Sequence, residues 1–213
     1  GYRQSGKPFL FSELVSSGAV MALLINALNP NLVQTTEGVP AFVHGGPFAN
    51  IAHGCNSMLA TRLAMTYGDY AITEAGFGAD LGAEKFMNIK ARLGGIEPAV
   101  TVIATGSMSL KLHGGAAEKE IRDANEHALS KGLLNLARHV QNMQQFGQQV
   151  IVAFNRHDFD RPEEIKFVSD WCAINGTRFA INEGYAEGGD GATDLAAQVI
   201  EAKDLPPELA VES

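Results

Sequence analysis

Two runs, Pro98-Ala-Val-Thr-Val-Ile-Ala-Thr105 and Val150-Ile-Val-Ala-Phe154, are apolar at nearly every position. A strand with one wet face alternates apolar and polar residues. A run without that alternation is buried on both faces, as in a parallel sheet. Helical periodicity separates and follows these runs. Lys131 to Phe146 places Leu133, Leu134, Leu136, Ala137, Val140 and Met143 on one inner side, and Gly147 stops it. A second helix opens at Pro162 and ends at Gly176, proline suiting a first helical turn. Thr177 to Ile181 reads as the last strand and Gly191 to Ala202 as the last helix. Strand–helix alternation without internal repeats predicts an α/β fold, a mostly parallel sheet with helices on both faces.

The upstream half continues the pattern. Ser12 caps a helix predicted to run to Leu28, with Leu14, Val15, Val20, Leu23, Leu24 and Leu28 as its apolar face; Asn29-Pro30 ends it. Val33 to Thr35 is a short extended piece, and Ala41 to His44 reads as a buried strand. A helix from Asn50 or Asn56 to Tyr67, a strand over Tyr70 to Thr73 and a helix from Asp80 to Arg92 follow. Residues 114–130 are polar and read as a surface excursion.

Composition narrows the function. A net charge of -8 leaves no basic face for nucleic-acid phosphates. No membrane-length apolar run or secretory signal is visible. The two cysteines, Cys55 and Cys172, lack metal-ligand spacing and fit a reduced, cytoplasmic protein.

Sheets of this kind bind ligands outside the carboxyl ends of their strands. His44, Glu74, Thr105, Asn155 and Asn182 are expected there. Two glycine-rich turns, His44 to Ser57 and Thr73 to Phe86, each lie where a strand gives way to a helix. Glycine lets backbone N–H groups approach a ligand, and a helix start favours negative charge. The anion-binding candidates are Gly45, Gly46, Asn50, His53, Glu74, Gly76, Phe77 and Gly78. Either turn could equally be tight backbone without a ligand. Glu74 or Asp80 could reach a metal ion through water or cap a helix, so no metal ligands and no catalytic residue are assigned. Asn155-Arg-His-Asp158 has the look of the base-binding Asn-Lys-x-Asp run of GTPases, and Tyr185 in the next glycine-rich loop could stack on a flat ring.

Gly45-Gly-Pro-Phe-Ala-Asn-Ile-Ala-His-Gly-Cys-Asn-Ser57 and Thr73-Glu-Ala-Gly-Phe-Gly-Ala-Asp-Leu-Gly-Ala-Glu-Lys-Phe86 resemble formate–tetrahydrofolate ligases, the 10-formyltetrahydrofolate synthetases. Weaker similarity extends from Lys7 to Ala202, through Leu110 to Gly115 and Ala186 to Gly191. The resemblance implies one-carbon metabolism: an ATP- and Mg2+-dependent ligase joining formate to tetrahydrofolate through formyl phosphate. It also implies stimulation by a monovalent cation (K+ or NH4+) and a homotetramer with small-molecule substrates. The family's chains are much longer and resemble this one over their middle-to-late portion. No Gly-x-x-x-x-Gly-Lys-Ser/Thr phosphate loop occurs here. The implied fold is an incomplete P-loop-NTPase-like core. Residues 1–115 would be the central part of the nucleotide-binding core, and 116–213 a C-terminal α/β part bearing folate-clamp loops.

The resemblance assigns the folate ring to His157, Asp158 and Tyr185. Departures accompany it: His157 and Asp158 stand where the family often has phenylalanine and proline, and Tyr185 where it has tryptophan. Gly106-Ser-Met-Ser109 replaces a shorter segment that carries arginine in the family. The alternatives are a non-catalytic folate- or nucleotide-binding homologue, a subunit of a split ligase, or a small GTPase suggested only by Asn155 to Asp158.

Overall fold

A computed structural model describes residues 1–46 and 53–206. The chain forms two units, Gly1–Glu74 and Ala75–Ser213.

In the first unit, a 3-10 turn (Phe11–Leu14) precedes α1 (Ser17–Leu24), and a second 3-10 turn spans Ile25–Leu28. The single helix expected over 12–28 is therefore broken. Val15 takes φ 51°, a left-handed conformation costly for a β-branched residue, and the helix cannot pass through it. Strands β1 (Asn31–Gln34) and β2 (Pro40–Val43) pair antiparallel, Leu32 opposite Phe42. The strand expected over 41–44 is thus one arm of a hairpin, and it is not buried. None of residues 1–46 is buried: Val15 is 89% exposed and Leu23 82%. Helix α2 (Met58–Tyr67) starts at Ser57, whose hydroxyl accepts from the Ala60 N–H at 3.1 Å. The strand expected over Tyr70 to Thr73 does not form: among the described residues that stretch pairs with no strand, and its residues are exposed.

The second unit opens with a helical run: α3 (Gly82–Lys85), a π-helical turn (Phe86–Ala91) and α4 (Arg92–Gly94). Strands β3 (Val100–Thr105), β4 (Gln149–Asn155) and β5 (Arg178–Asn182) form a parallel sheet in the order β3-β4-β5. Between β3 and β4 lie α5 (Ser107–His113) and α6 (Glu126–Gln145); α7 (Pro162–Ile174) joins β4 to β5. The short α8 (Gly184–Glu187) and α9 (Thr193–Ala202) follow β5. The long helix starts earlier than its apolar pattern predicts, because the Asn125 side chain caps it by accepting from the Ala128 N–H at 2.9 Å. It ends where predicted, Gly147 turning the chain at φ 74°.

The apolar run of β4 explains the layering. Val150, Val152 and Phe154 face Leu129, Leu133, Leu136 and Val140 of α6 and Val168 and Cys172 of α7. Ile151 faces the other way and packs with Ala180 and with Leu195, Val199 and Ala202 of α9. Helices therefore cover both faces of β4, as its unbroken apolar pattern requires. The run over β3, expected to be buried on both faces as well, lies at the sheet edge: of its residues Ile103 alone is buried, and Val102 is 41% exposed. Two glycines bring α5 and α6 together. A Cβ on Gly132 would lie 1.9 Å from the Leu110 carbonyl oxygen, and one on Gly114 would lie 1.7 Å from that of Ala128.

A buried ion pair locks this layer. Lys111 Nζ lies 2.8 Å from Glu164 Oε2, the two side chains 1% and 8% exposed. Lys111 also donates to the Asp123 carbonyl at 2.9 Å, and the Asn125 N–H donates to Glu164 Oε1 at 3.3 Å.

Burial pushes the Cys172 thiol from 9.0 up to about 12. The folded protein disfavours the thiolate, so iodoacetamide at about pH 8 is expected to leave Cys172 unmodified until the chain is denatured. Peptide mass spectrometry reads the difference. Because the folded value is raised, the contribution of this thiol to stability is intact below about pH 9 and is lost as pH rises toward about 12.

Candidate functional site

The carboxyl ends of β3, β4 and β5 bring Thr105, Asn155 and Asn182 to one rim. Asn155 and Asn182 are direct partners in the ladder, and Thr105 pairs with Phe154. Asn182 Nδ2 donates to Asn155 Oδ1 at 2.8 Å, and Asn182 Oδ1 accepts from the Gly184 N–H at 3.1 Å. These two bonds carry the order of the sheet into the loop that follows β5. Of the strand-end residues expected from sequence, these three stand together. His44 instead follows antiparallel β2, and Glu74 follows no strand.

The loop over 183–191 is closed at its base. The Glu183 N–H donates to the Gly191 carbonyl at 2.9 Å. A Cβ on Gly191 would lie 2.6 Å from the Glu183 carbonyl, so only glycine permits this closure. Tyr185 projects from the loop, 97% exposed. An aromatic ring held fully in water by a tied loop is available for a flat partner.

After β4, His157 is partly buried and Asp158 exposed. The His157 ring stacks on Phe159 with centroids 5.2 Å apart and planes 16° apart, and the Arg122 guanidinium lies 5.1 Å from the Phe159 centroid. One face of the imidazole is thereby covered. Arg156 pairs with Glu183 at 2.7 Å, tying the turn after β4 to the loop after β5.

Two adjoining hollows lie beside β5, sharing a floor of Ser169, Phe179 and Ile181. One, of about 450 Å³, is walled by Glu183, Glu187, Asp190 and Asp194. The other, of about 390 Å³, is bounded by Arg156, Pro162, Ile165 and Lys166. The carboxylate wall opposes a phosphate and suits a group rich in N–H donors.

The second glycine-rich turn has a different character. The Leu81 and Gly82 N–H groups both donate to the Gly78 carbonyl, at 3.0 and 2.8 Å. A Cβ on Gly82 would lie 1.6 Å from the Gly76 oxygen, so that position admits glycine alone. Between Gly76 and Gly78, Phe77 holds φ 63° and is 68% exposed. Strain of this kind in a non-glycine residue costs about 1–3 kcal/mol and gathers at ligand sites. Glu74 is exposed.

In the first unit, Gly45 and Gly46 take φ 98° and 64°. His53 Nδ1 accepts from the Cys55 N–H at 3.1 Å. Asn50 lies outside the described residues. His44 has both ring nitrogens engaged: Nε2 lies 2.7 Å from the Ala27 carbonyl, and Nδ1 2.7 Å from Ser57 Oγ. A carbonyl only accepts, so Nε2 carries a proton and donates it to Ala27. Among the described residues, no group of three or more His, Cys, Asp or Glu side chains could hold a metal ion, and no helix is long and apolar enough to cross a membrane.

Sequence reasoning missed Phe159, Asp160 and Ser107. A local signal existed for Asp160 alone: an aspartate three residues beyond His157 is a type that bonds to nearby backbone. Ser107 instead bonds a carboxylate far along the chain, which no local pattern announces.

The profile of the family "Formate--tetrahydrofolate ligase" matches residues 1–211. Curated proteins named formate--tetrahydrofolate ligase match 97% of this chain: 58% identity for that of Parabacteroides distasonis, 56% for that of Porphyromonas gingivalis and 48% for that of Staphylococcus aureus. The chain spans 37% of the length of each. With a family match along almost its whole length, the chain belongs to the formate–tetrahydrofolate ligase family.

Proposed function

We propose that this chain forms part of an ATP-dependent ligase that joins formate to tetrahydrofolate, and that it supplies the surface holding the folate. In the reaction, ATP transfers its γ-phosphoryl group to formate and leaves as ADP; the folate N10 amine then attacks the formyl carbon, losing its proton as inorganic phosphate departs. Tyr185 and His157 grip the reduced pterin, with Asp158 at its margin. The observation that carries this reading is the tied loop presenting Tyr185 at the rim where His157 also stands. Glu183 and Glu187, which stand on either side of Tyr185 in the loop, wall the hollow beside β5, and their carboxylates suit the N–H donors of a pterin edge.

Each glycine-rich turn is by itself a candidate for an anion such as formyl phosphate or the ATP phosphates: Gly76, Phe77 and Gly78, next to Glu74, in one, and Gly45, Gly46, Asn50 and His53 in the other. The strained Phe77 supports that role. Mg2+ arrives with ATP, and a monovalent cation, K+ or NH4+, stimulates the reaction. The working enzyme is a cytoplasmic homotetramer. These 213 residues alone, without a Gly-x-x-x-x-Gly-Lys-Ser/Thr loop, do not form 10-formyltetrahydrofolate.

Separate calorimetric titrations with tetrahydrofolate, ATP and GTP test the assignment. Tetrahydrofolate is expected to bind, and Tyr185→Ala to weaken it by about threefold to tenfold, the worth of one aromatic stack. The melting temperature should not change, because an exposed side chain contributes little to stability. Equal affinity in the variant, or preference for GTP, refutes the clamp.

A further inference from the structure

We propose that Ser107 and Asp160 are positioning residues that set where His157 stands on the sheet rim. This inference rests on the reading of His157 as a folate contact. Ser107, the first residue of α5, is 1% exposed, and Asp160 is 8% exposed. The Ser107 hydroxyl donates to Asp160 Oδ1. Asp160 Oδ2 accepts from the His157 N–H at 2.7 Å, and the Asp160 N–H donates to the His157 carbonyl at 2.9 Å. One carboxylate thus ties the end of β3 to the turn after β4.

The bond from His157 to Asp160 alone would close the turn. The bond from Ser107 adds something different: it anchors that turn to a neighbouring strand end. A buried carboxylate is costly to desolvate and is tolerated only where donors meet both oxygens. Here both oxygens are met, one from each of two segments that flank the proposed site. Between the two turn residues, Phe159 lies against the imidazole, so His157 is fixed through its backbone by Asp160 and through its ring by Phe159. Asp160 touches no flat ring at the rim itself and acts through His157.

Four variants of the 213-residue chain test this: Asp160→Ala, Asp160→Asn, Ser107→Ala and Ser107→Thr. Amide hydrogen exchange by NMR reads the His157 N–H directly. It should exchange at least about tenfold faster in Asp160→Ala, which loses a bond to a charged acceptor. Asp160→Asn keeps an oxygen and an N–H in place and should restore most of the protection; Ser107→Thr keeps the hydroxyl and should resemble the parent. Tetrahydrofolate affinity should fall about tenfold in Asp160→Ala and less in Ser107→Ala. In a His157→Ala background, Asp160→Ala should add less than about twofold, a saturation that general destabilisation does not produce. If Asp160→Ala does not fold, Ser107→Ala carries the same readouts. Unchanged exchange at His157, or an undiminished loss of affinity in the His157→Ala background, overturns the positioning role. Failure of the parent chain to bind tetrahydrofolate refutes the folate reading instead, while the exchange measurement still decides whether Asp160 holds His157.

Discussion

Lys111→Met is expected to destabilise the second unit by about 3–5 kcal/mol, because it strands the Glu164 carboxylate in the interior. The partner acid then has only the Asn125 N–H, at 3.3 Å. The Asp123 carbonyl also loses its donor. Urea unfolding followed by circular dichroism measures the change. The pair is not expected to be worth that amount in itself. Desolvating two ions offsets most of their attraction, so the double variant Lys111→Met/Glu164→Leu should recover much of the loss. A single variant as stable as the parent would show that water reaches the site.

Gly132→Ala is expected to cost about 3 kcal/mol, the upper part of the range for overpacking. The clash is with backbone: the added carbon would sit 1.9 Å from the Leu110 oxygen and 2.6 Å from its carbonyl carbon. No rotamer relieves that, so α5 must move away from α6. Because Ser107 begins α5 and bonds Asp160, the displacement should also reach the rim. Calorimetric melting measures the cost, and a melting temperature within a degree of the parent would sink the argument.

The second unit was legible in the sequence because its signals are redundant. Val150 to Phe154 is apolar throughout, so its strand and its burial on both faces follow from one pattern. Gly147, Pro162 and Gly176 then mark the neighbouring helix ends. The first unit was less legible. Leu14, Val15, Val20 and Leu23 give a helical apolar stripe, yet stripes report only what must be covered. The left-handed Val15 and the exposed side chains around it are not written in periodicity. Tyr70 to Thr73 has the composition of a strand, but strand propensity takes effect only through a paired neighbour, and among the described residues none pairs with it.

The rim was legible in part for a similar reason. Asn155 and Asn182 were placed correctly by strand-end logic, and the three-strand register makes them neighbours. Tyr185 was singled out by its glycine-rich loop, and the folate role proposed for it and for His157 came from resemblance to a family. Asp160 and Ser107 were missed, because a bond between residues 53 positions apart follows from topology rather than from local spacing.

The knotting of Glu183 to Gly191 has a thermodynamic consequence. The backbone entropy of arranging that segment is spent in folding, so a guest that settled on Tyr185, as proposed above, would order the rotamers of one ring and no loop. Association there should be quick, with little heat-capacity change beyond the area covered.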